Sequence, residues 1–299
     1  MTRIGIEIGG TKQQLVAGDV EGNIIDQCRF SVDPKVGGSV IRERIAEGLP
    51  KLIAAHKPER IGVGFGGPLD IAKGTVAVSH QVEGWSGFPL RDWLHDLTGL
   101  PVVIENDANT AALAEALRGA GRGFNPAFYI NMGSGVGGGL VLDGIIYHGA
   151  VPGEVEVGHL RLDVDGTTVE DRCSGWAVDR AIHKAIQANP GCLLAQLVGS
   201  ETNGEAQHLS AALAQKDSTA ETILKNATRD LAFALSHVTH LFHPQTITLG
   251  GGLALIGEPL LKGIVATLPE FLMEIYGNGP KIKLSELGED AVPIGALML

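Results

Sequence analysis

The sequence is poor in cysteine, in aromatic residues and in long apolar runs. Its 3 cysteines, Cys28, Cys173 and Cys192, stand far apart and form no C-x-x-C pair, which argues against a disulfide framework and a cysteine-rich zinc site. No apolar stretch approaches the length needed to cross a bilayer, and the start of the sequence shows no signal-peptide pattern. We therefore expect a cytoplasmic protein with no membrane partner.

Basic clusters are also missing. Lys and Arg number 23 against 34 Asp and Glu, which gives a formal net charge of -11. A nucleic-acid-binding surface is therefore disfavoured, and a small molecule is the expected partner. Glycine, by contrast, is abundant, with 42 of 299 residues gathered in discrete clusters. This length is enough for two lobes, each with a core of its own.

Residues 101–112 predict a buried strand that runs directly into a helix. A short β-branched run gives way to polar residues and then to an alanine-rich stretch. Asp107 is thereby expected at the carboxyl end of a strand, where open α/β sheets bind ligands, and the helix amino terminus favours its charged form. This position suits a general base. The alternative is that Asn106, Asp107 or Asn109 only caps the helix.

A glycine turn follows the first predicted strand. Gly9 and Gly10 let backbone N–H groups approach an anion, while Thr11 and Lys12 can add a hydroxyl and a positive charge. The set suits phosphate oxygens. A plain hairpin turn would explain the glycines alone, but it has no need of Glu7 before them or of Lys12 after them.

Two further glycine turns follow predicted strands. Gly133, Gly135 and Gly138 satisfy G-x-G-x-x-G, but a strand follows them where the dinucleotide-binding fingerprint requires a helix. A turn over residues 250–252 follows the strand 246–249 and leads into a helical stretch. We expect the first two turns to face each other and to hold the phosphates of one nucleotide.

Helical periodicity predicts helices over residues 39–56, 177–188, 209–216 and 219–242. At the end of the last helix, His237, His240 and His243 have a spacing that could bring two histidines together as metal ligands. No acidic partner is set among them, so a polar helix flank is the preferred interpretation.

Together these motifs resemble the ROK sugar kinases of the actin-like ATPase fold, over nearly the whole chain. Residues 7–12 look like the first phosphate loop, residues 106–109 like the catalytic segment and residues 133–139 like the second phosphate loop. Residues 250–252 are similar to the adenosine motif, and residues 156–159 match the Glu-x-Gly-His sugar-binding segment.

The resemblance implies an α/β, two-lobed, ribonuclease H-like fold with a cleft between the lobes. The smaller lobe would contain residues 1–118 and 290–299, and the larger lobe residues 119–289. It further implies transfer of the ATP γ-phosphoryl group to a hydroxyl of a hexose or amino-hexose, with Asp107 as base and Mg²⁺ held at Glu7 through water. The implied sugar-binding residues are Gly66, Asn106, Asp107, Glu156, His159 and Glu170. The implied nucleotide-binding residues are Glu7, Gly9, Gly10, Thr11, Lys12, Gly133, Ser134, Gly135, Gly250, Gly251 and Gly252.

Two features depart from the family pattern. The first loop normally begins with Asp, whereas this chain has Glu7, one methylene longer. The cysteine cluster that binds structural zinc in many members is also missing. Thr168 stands where one zinc-binding cysteine would be, and Cys173 is expected to be a packed residue. We therefore expect no structural zinc.

Two other functions compete with a sugar kinase. A catalytically weak or inactive sugar-binding regulator could use the same scaffold, although family repressors carry an amino-terminal DNA-binding domain and here the phosphate loop begins just after Met1. An actin-like ATPase without a sugar is disfavoured by Glu156, His159 and Glu170. The identity of the sugar, the phosphate donor and the oligomeric state, with a homodimer as one candidate, stay open at this point.

Overall fold

The structure is a computed structural model that describes residues 1–33, 37–79, 82–150, 155–201 and 204–299. The strands are β1 (Thr2–Ile8), β2 (Lys12–Asp19), β3 (Ile24–Ser31), β4 (Ile61–Phe65), β5 (Leu69–Asp70), β6 (Thr75–Val76), β7 (Val102–Asn106), β8 (Ala127–Met132), β9 (Val136–Leu142), β10 (Ile145–Ile146), β11 (Thr246–Gly250) and β12 (Lys281–Leu284). The α-helices are α1 (Gly37–His56), α2 (Leu90–Thr98), α3 (Asp107–Leu117), α4 (Val169–Cys173), α5 (Gly175–Ala188), α6 (Leu193–Val198), α7 (Leu209–Ala214), α8 (Ser218–Phe242), α9 (Glu258–Thr267) and α10 (Ala291–Met298).

The chain forms two compact units. The first contains Met1–Arg122, Gly139–Val155 and Glu289–Leu299, and the second contains Gly123–Gly138 and Glu156–Gly288. The sequence-based division at residue 119 assigned residues 139–155 to the other lobe. The difference arises because β10 packs against α3, a contact between segments that are distant in sequence.

The first sheet has the order β3-β2-β1-β4-β7. β1, β2 and β3 are antiparallel neighbours, whereas β4 and β7 run parallel to β1. Buried residues recur along α1 at helical spacing, Ile41, Ile45, Leu49 and Leu52, so one face of this helix packs on the core. The carboxyl ends of the parallel strands β1, β4 and β7 lie together at one edge of the sheet.

Helix α10 returns to the first unit at the end of the sequence. It packs against α3, β1 and β4, and Arg3 donates from Nη1 to the carbonyl oxygen of Leu297 at 2.9 Å. A Cβ atom added at Gly295 would overlap the carbonyl oxygen of Thr110 in α3. The glycine therefore allows the two helix backbones to lie in close contact.

The second sheet has the order β10-β9-β8-β11-β12. In the second unit, β8 and β12 both run parallel to β11. The long helix α8 is capped by the Asp217 side chain and ends at His243, which adopts the left-handed conformation. Within the described ranges, no helix is both long enough and apolar enough to span a membrane.

Candidate active site

In the first unit, the carboxyl ends of three parallel strands bring predicted site residues to one sheet edge. Ile8 of β1 pairs with Phe65 of β4, and Phe65 pairs with Asn106 of β7. The residues that follow are Gly9, Gly66 and Asp107, so the first glycine turn and the β7–α3 junction are neighbours. This is the sheet edge at which α/β proteins bind ligands.

Asn106, rather than Asp107, caps helix α3. Its Oδ1 atom accepts the backbone N–H groups of Ala108 and Asn109 at 2.9 and 3.1 Å, and its backbone is extended. Asp107 is the first residue of the helix. Of the two backbone N–H groups that Asn106 accepts, Asp107 Oδ1 accepts only that of the adjacent Ala108. The helix start is therefore satisfied without relying on the Asp107 carboxylate.

Gly66 lies directly against the Asp107 side chain. A Cβ atom added at Gly66 would be 3.2 Å from Asp107 Oδ2 and 3.3 Å from the carbonyl oxygen of Ile8. The Gly66 N–H donates to that same carbonyl at 2.8 Å. A side chain at this position would therefore crowd one carboxylate oxygen of Asp107 at the sheet edge.

Glu7 is a buried carboxylate in the same unit, with 7% of its surface exposed. Its Oε2 accepts Gln14 Nε2 at 2.6 Å, and its Oε1 is 3.4 Å from Lys12 Nζ. Burial raises the pKa of Glu7 from 4.5 to about 7, a rise that Lys12 and Gln14 partly offset and that the Asp107 carboxylate increases. Sequence reasoning missed Gln14, a buried amide directly across from Glu7 in the β1–β2 pairing.

The first glycine turn is a tight link between β1 and β2. The Gly9 N–H donates to the Lys12 carbonyl at 2.9 Å, while Gly10 is half-buried and Thr11 is exposed. Lys12 Nζ also donates to the carbonyl of Glu289 at 3.1 Å. The turn therefore presents a hydroxyl and an ammonium group next to a buried carboxylate.

A second ionisable pair, which sequence reasoning missed, adjoins the β7–α3 junction. Glu105 Oε2 lies 2.6 Å from His148 Nε2, and Glu105 Oε1 accepts the Asn106 backbone N–H. The signal in the sequence was a charged residue inside an otherwise apolar strand. The partner histidine could not be identified because it lies 43 positions later.

In the second unit, the ends of β8 and β11 place two glycine turns at one edge. Asn131 pairs with Gly250, and Gly251 has φ +81°. A Cβ atom at Gly251 would lie 2.5 Å from the Met132 carbonyl carbon, whereas nothing lies within 4 Å of one at Gly252. A Cβ atom at Gly250 would overlap the Tyr129 side chain. Side-chain contact therefore explains the first glycine of this turn and close backbone approach the second, whereas the third borders open space.

The turn of Gly133, Ser134 and Gly135 links β8 to β9, so a strand follows it, as the sequence predicts. Glu170 of α4 contacts this turn, because its Oε2 accepts the Val136 N–H at 2.8 Å. A Cβ atom at Gly135 would be 2.5 Å from the same oxygen. Glu170 is thus held against the glycine turn, a contact that its position in the sequence did not reveal.

Glu156 and His159 lie at the ends of a short 3₁₀ helix, Val157–His159, and both are exposed. A Cβ atom at Gly158 would overlap the carbonyl oxygen of Val136, so the segment packs against the start of β9. The second unit therefore brings this segment, Glu170 and the second glycine turn together.

Thr168, which the resemblance aligns with a zinc-binding cysteine, and the nearby Cys173 have other roles here. Thr168 forms a capping box with Asp171 at the start of α4. Cys173 is fully buried, and burial raises the pKa of its thiol well above the ordinary value. In the ranges that the structure describes, no group of three or more His, Cys, Asp or Glu side chains is arranged to hold a metal.

The histidines near the end of α8 make ring contacts. His237 contacts Phe233, and His240 and His243 both contact Tyr276 with centroid distances of 5.3 and 4.7 Å. These edge-to-face contacts are typical of a packed aromatic cluster.

Comparison with known proteins places this geometry in context. The sequence matches the ROK family over residues 3–299. It is 30% identical over 305 residues to a glucokinase of Halalkalibacterium halodurans, covering 98% of this chain and 92% of that protein.

Solved structures of ROK proteins are also similar to this chain. A ROK family glucokinase from Streptomyces griseus, in complex with glucose and AMPPNP, superposes with a TM-score of 0.87 at 30% identity, over 99% of this chain and 98% of that one. A ROK hexokinase from Thermus thermophilus has a TM-score of 0.78 at 28% identity, over 100% of this chain and 97% of that one. The chain belongs to the ROK family, whose sugar kinases have the two-lobed α/β fold of the actin-like ATPases.

Proposed function

We propose that this chain transfers the γ-phosphoryl group of ATP to a hydroxyl of a hexose or amino-hexose. The observation that carries the proposal is the position of Asp107, which lies beside Gly66 at the sheet edge, on a helix that Asn106 already caps. The glucokinase relatives and the glucokinase structure with glucose and AMPPNP support a sugar acceptor and an ATP donor.

Asp107 would act as the general base. Its carboxylate accepts the proton of the attacking hydroxyl while the hydroxyl oxygen bonds to the γ-phosphorus. The bond between the γ-phosphorus and the bridging oxygen breaks, and ADP leaves with that oxygen. The amino terminus of α3 favours the charged form of the carboxylate.

The sugar would be bound by short polar groups that match paired hydroxyls. In the first unit, these groups are Asp107 and the Asn106 amide, with Gly66 leaving space beside them. In the second unit, Glu156, His159 and the Glu170 carboxylate provide exposed or half-exposed acceptors and donors.

The nucleotide would be bound by the glycine turns. Gly9, Gly10, Thr11 and Lys12 offer a hydroxyl and an ammonium group to phosphate oxygens, and Gly133, Ser134 and Gly135 offer a second turn of the same kind. The adenosine part is assigned to Gly250, Gly251 and Gly252, where the space beside Gly252 is open.

Glu7 fits a magnesium site of the type that relies on one carboxylate, water and substrate phosphates. Its buried carboxylate lies close enough to Asp107 for their charges to interact, so a cation would relieve repulsion between them. When bound, Mg²⁺ supplies charge neutralisation on the transferring phosphoryl group. We further propose a cytoplasmic enzyme and a homodimer, and sedimentation analysis would test the dimer.

A sugar panel in a coupled assay of ADP release tests the proposed function. With ATP and Mg²⁺, we expect at least one hexose or amino-hexose to stimulate ADP release, and Asp107→Asn to abolish most of it. A wild-type protein that binds a sugar yet releases no ADP with any sugar would overturn the kinase and favour a sugar-responsive regulator.

A further inference from the structure

Glu105, the residue before Asn106, is a buried carboxylate that links three hydrogen-bond donors. It is 4% exposed. Its Oε1 accepts the backbone N–H of Asn106 at 2.9 Å and Nδ2 of Asn109 at 3.0 Å, and its Oε2 lies 2.6 Å from His148 Nε2. A buried carboxylate is tolerated only when such donors satisfy it.

The first two donors belong to the junction that carries Asp107. Asn106 precedes α3 and Asn109 lies in its first turn, and the Asn106 side chain in turn accepts the N–H groups of Ala108 and Asn109. Thr110 Oγ1 also donates to the Asn106 carbonyl at 2.7 Å. The backbone on both sides of Asp107 is therefore fixed through one connected network centred on Glu105.

The third donor, His148, comes from a different part of the first unit, just after β10. Its side chain is 40% exposed, so it contributes little to the core. A carboxylate oxygen only accepts hydrogen bonds, so the Nε2 atom of His148 carries the shared hydrogen. The short distance indicates a charge-assisted bond.

We infer that Glu105 and His148 form a positioning pair for Asp107. The inference deepens the proposed kinase function and rests on it. His148 holds the Oε2 atom of Glu105, which orients Oε1 towards Asn106 and Asn109 and thereby fixes the turn that presents the Asp107 carboxylate. His148 touches neither the proposed sugar residues nor the proposed nucleotide residues in any contact described above.

Loss of the histidine would act on turnover more than on folding. The Oε2 atom of Glu105 would be left buried without its donor, and the carboxylate would rotate or draw in water. A shift of about 1 Å at a catalytic group can cost about 10² in rate. The sugar KM would be less affected, because Glu105 is not itself one of the proposed sugar-binding residues.

The test compares His148→Leu and His148→Gln with the same substitutions at His56. His56 forms a similar pair with Asp26, at 2.9 Å, on an exposed surface of the same unit. We expect His148→Leu to lower kcat about 10- to 100-fold, with the sugar KM close to wild type and the melting temperature lowered by only a few degrees, because one buried acceptor loses its donor. His148→Gln, which keeps an N–H donor, should recover part of the loss, and both His56 variants should behave as wild type.

Hydrogen exchange supplies a readout that does not depend on activity. Backbone amides of residues 106–109 should exchange faster in His148→Leu than in wild type or in His56→Leu. A His148→Leu enzyme with kcat within twofold of wild type, or with unchanged exchange at these amides, would overturn the positioning role. If the wild type phosphorylates no sugar, the kinase proposal fails, and the exchange comparison still decides whether His148 orders the junction.

Discussion

At the scale of single residues, a substitution at Asp107 distinguishes two roles for this residue, a general base and a helix cap. Because Asn106 caps α3, we expect Asp107→Asn to retain the melting temperature of the wild type. Loss of a positioned base lowers turnover by about 10² to 10⁴, so sugar-dependent ADP release should fall by that order. A helix-cap role for Asp107 predicts instead a loss of about 1 kcal/mol with turnover preserved.

The cap itself supplies a reference for that experiment. Asn106→Ala removes the side chain that accepts the Ala108 and Asn109 N–H groups, and it should destabilise the protein by about 1 kcal/mol. If Asp107→Asn were the more destabilising of the two variants and remained fully active, the catalytic assignment would be wrong.

The raised pKa of Glu7 predicts that the stability of the protein depends on pH in metal-free buffer. Its pKa in the folded protein is raised to about 7, so the folded state binds more protons than the unfolded state between pH 4.5 and 7. The contribution of Glu7 to stability is therefore fully present below pH 4.5 and is lost as the pH rises to about 7. Urea unfolding of wild type and Glu7→Gln across this range should show the variant gaining stability relative to wild type. A constant difference between the two proteins would contradict the burial of an ionising carboxyl.

Removal of the Glu7 carboxylate charge should lower activity, although it should raise relative stability as the pH rises. Carboxylate charge is what a magnesium site requires, so we expect Glu7→Asp to remain active or improve and Glu7→Gln to be strongly impaired in ADP release. Titration of Mg²⁺ in the same assay checks the cause, since a metal role predicts that the Gln variant needs more Mg²⁺. Wild-type behaviour of Glu7→Gln at all concentrations would exclude that role.

At the scale of elements, helix α10 is in direct backbone contact with α3 at Gly295. Gly295→Ala would overlap the Thr110 carbonyl of α3, and such overpacking costs about 1–3 kcal/mol. Helix propensity alone predicts the reverse, a gain of about 1 kcal/mol for alanine. We expect a clear drop in melting temperature, with Gly191→Ala as control because nothing lies within 4 Å of the added Cβ there. Equal stability of both variants would show that α10 packs loosely.

The elements that form the site were largely predictable, whereas their contacts were not. Periodicity predicted a helix over residues 39–56, observed as Gly37–His56, and the strand-to-helix junction at Asp107. The contacts of Glu7 with Gln14, of Glu105 with His148 and of Glu170 with Val136 were missed. Each depends on strand pairing or on packing between distant segments, which local pattern does not encode.

At the scale of the whole molecule, we predict no stoichiometric zinc. Thr168 is engaged in a capping box and Cys173 is fully buried, so the position of the family's zinc cluster lacks its thiolate ligands. Elemental analysis of the purified protein after dialysis against a chelator-free buffer checks this. One tightly held zinc per chain would overturn the alignment through Thr168.

The order of segments in the first unit also bears on protein synthesis. This unit needs Glu289–Leu299, yet α10 leaves the ribosome only after every residue of the second unit has emerged. Multidomain chains generally fold from the amino terminus as they are made, but here the first unit is complete only once α10 has been made. The nascent chain therefore exposes the apolar surface of β1, β4 and α3 that α10 covers, and chaperone binding during translation should concentrate on that surface.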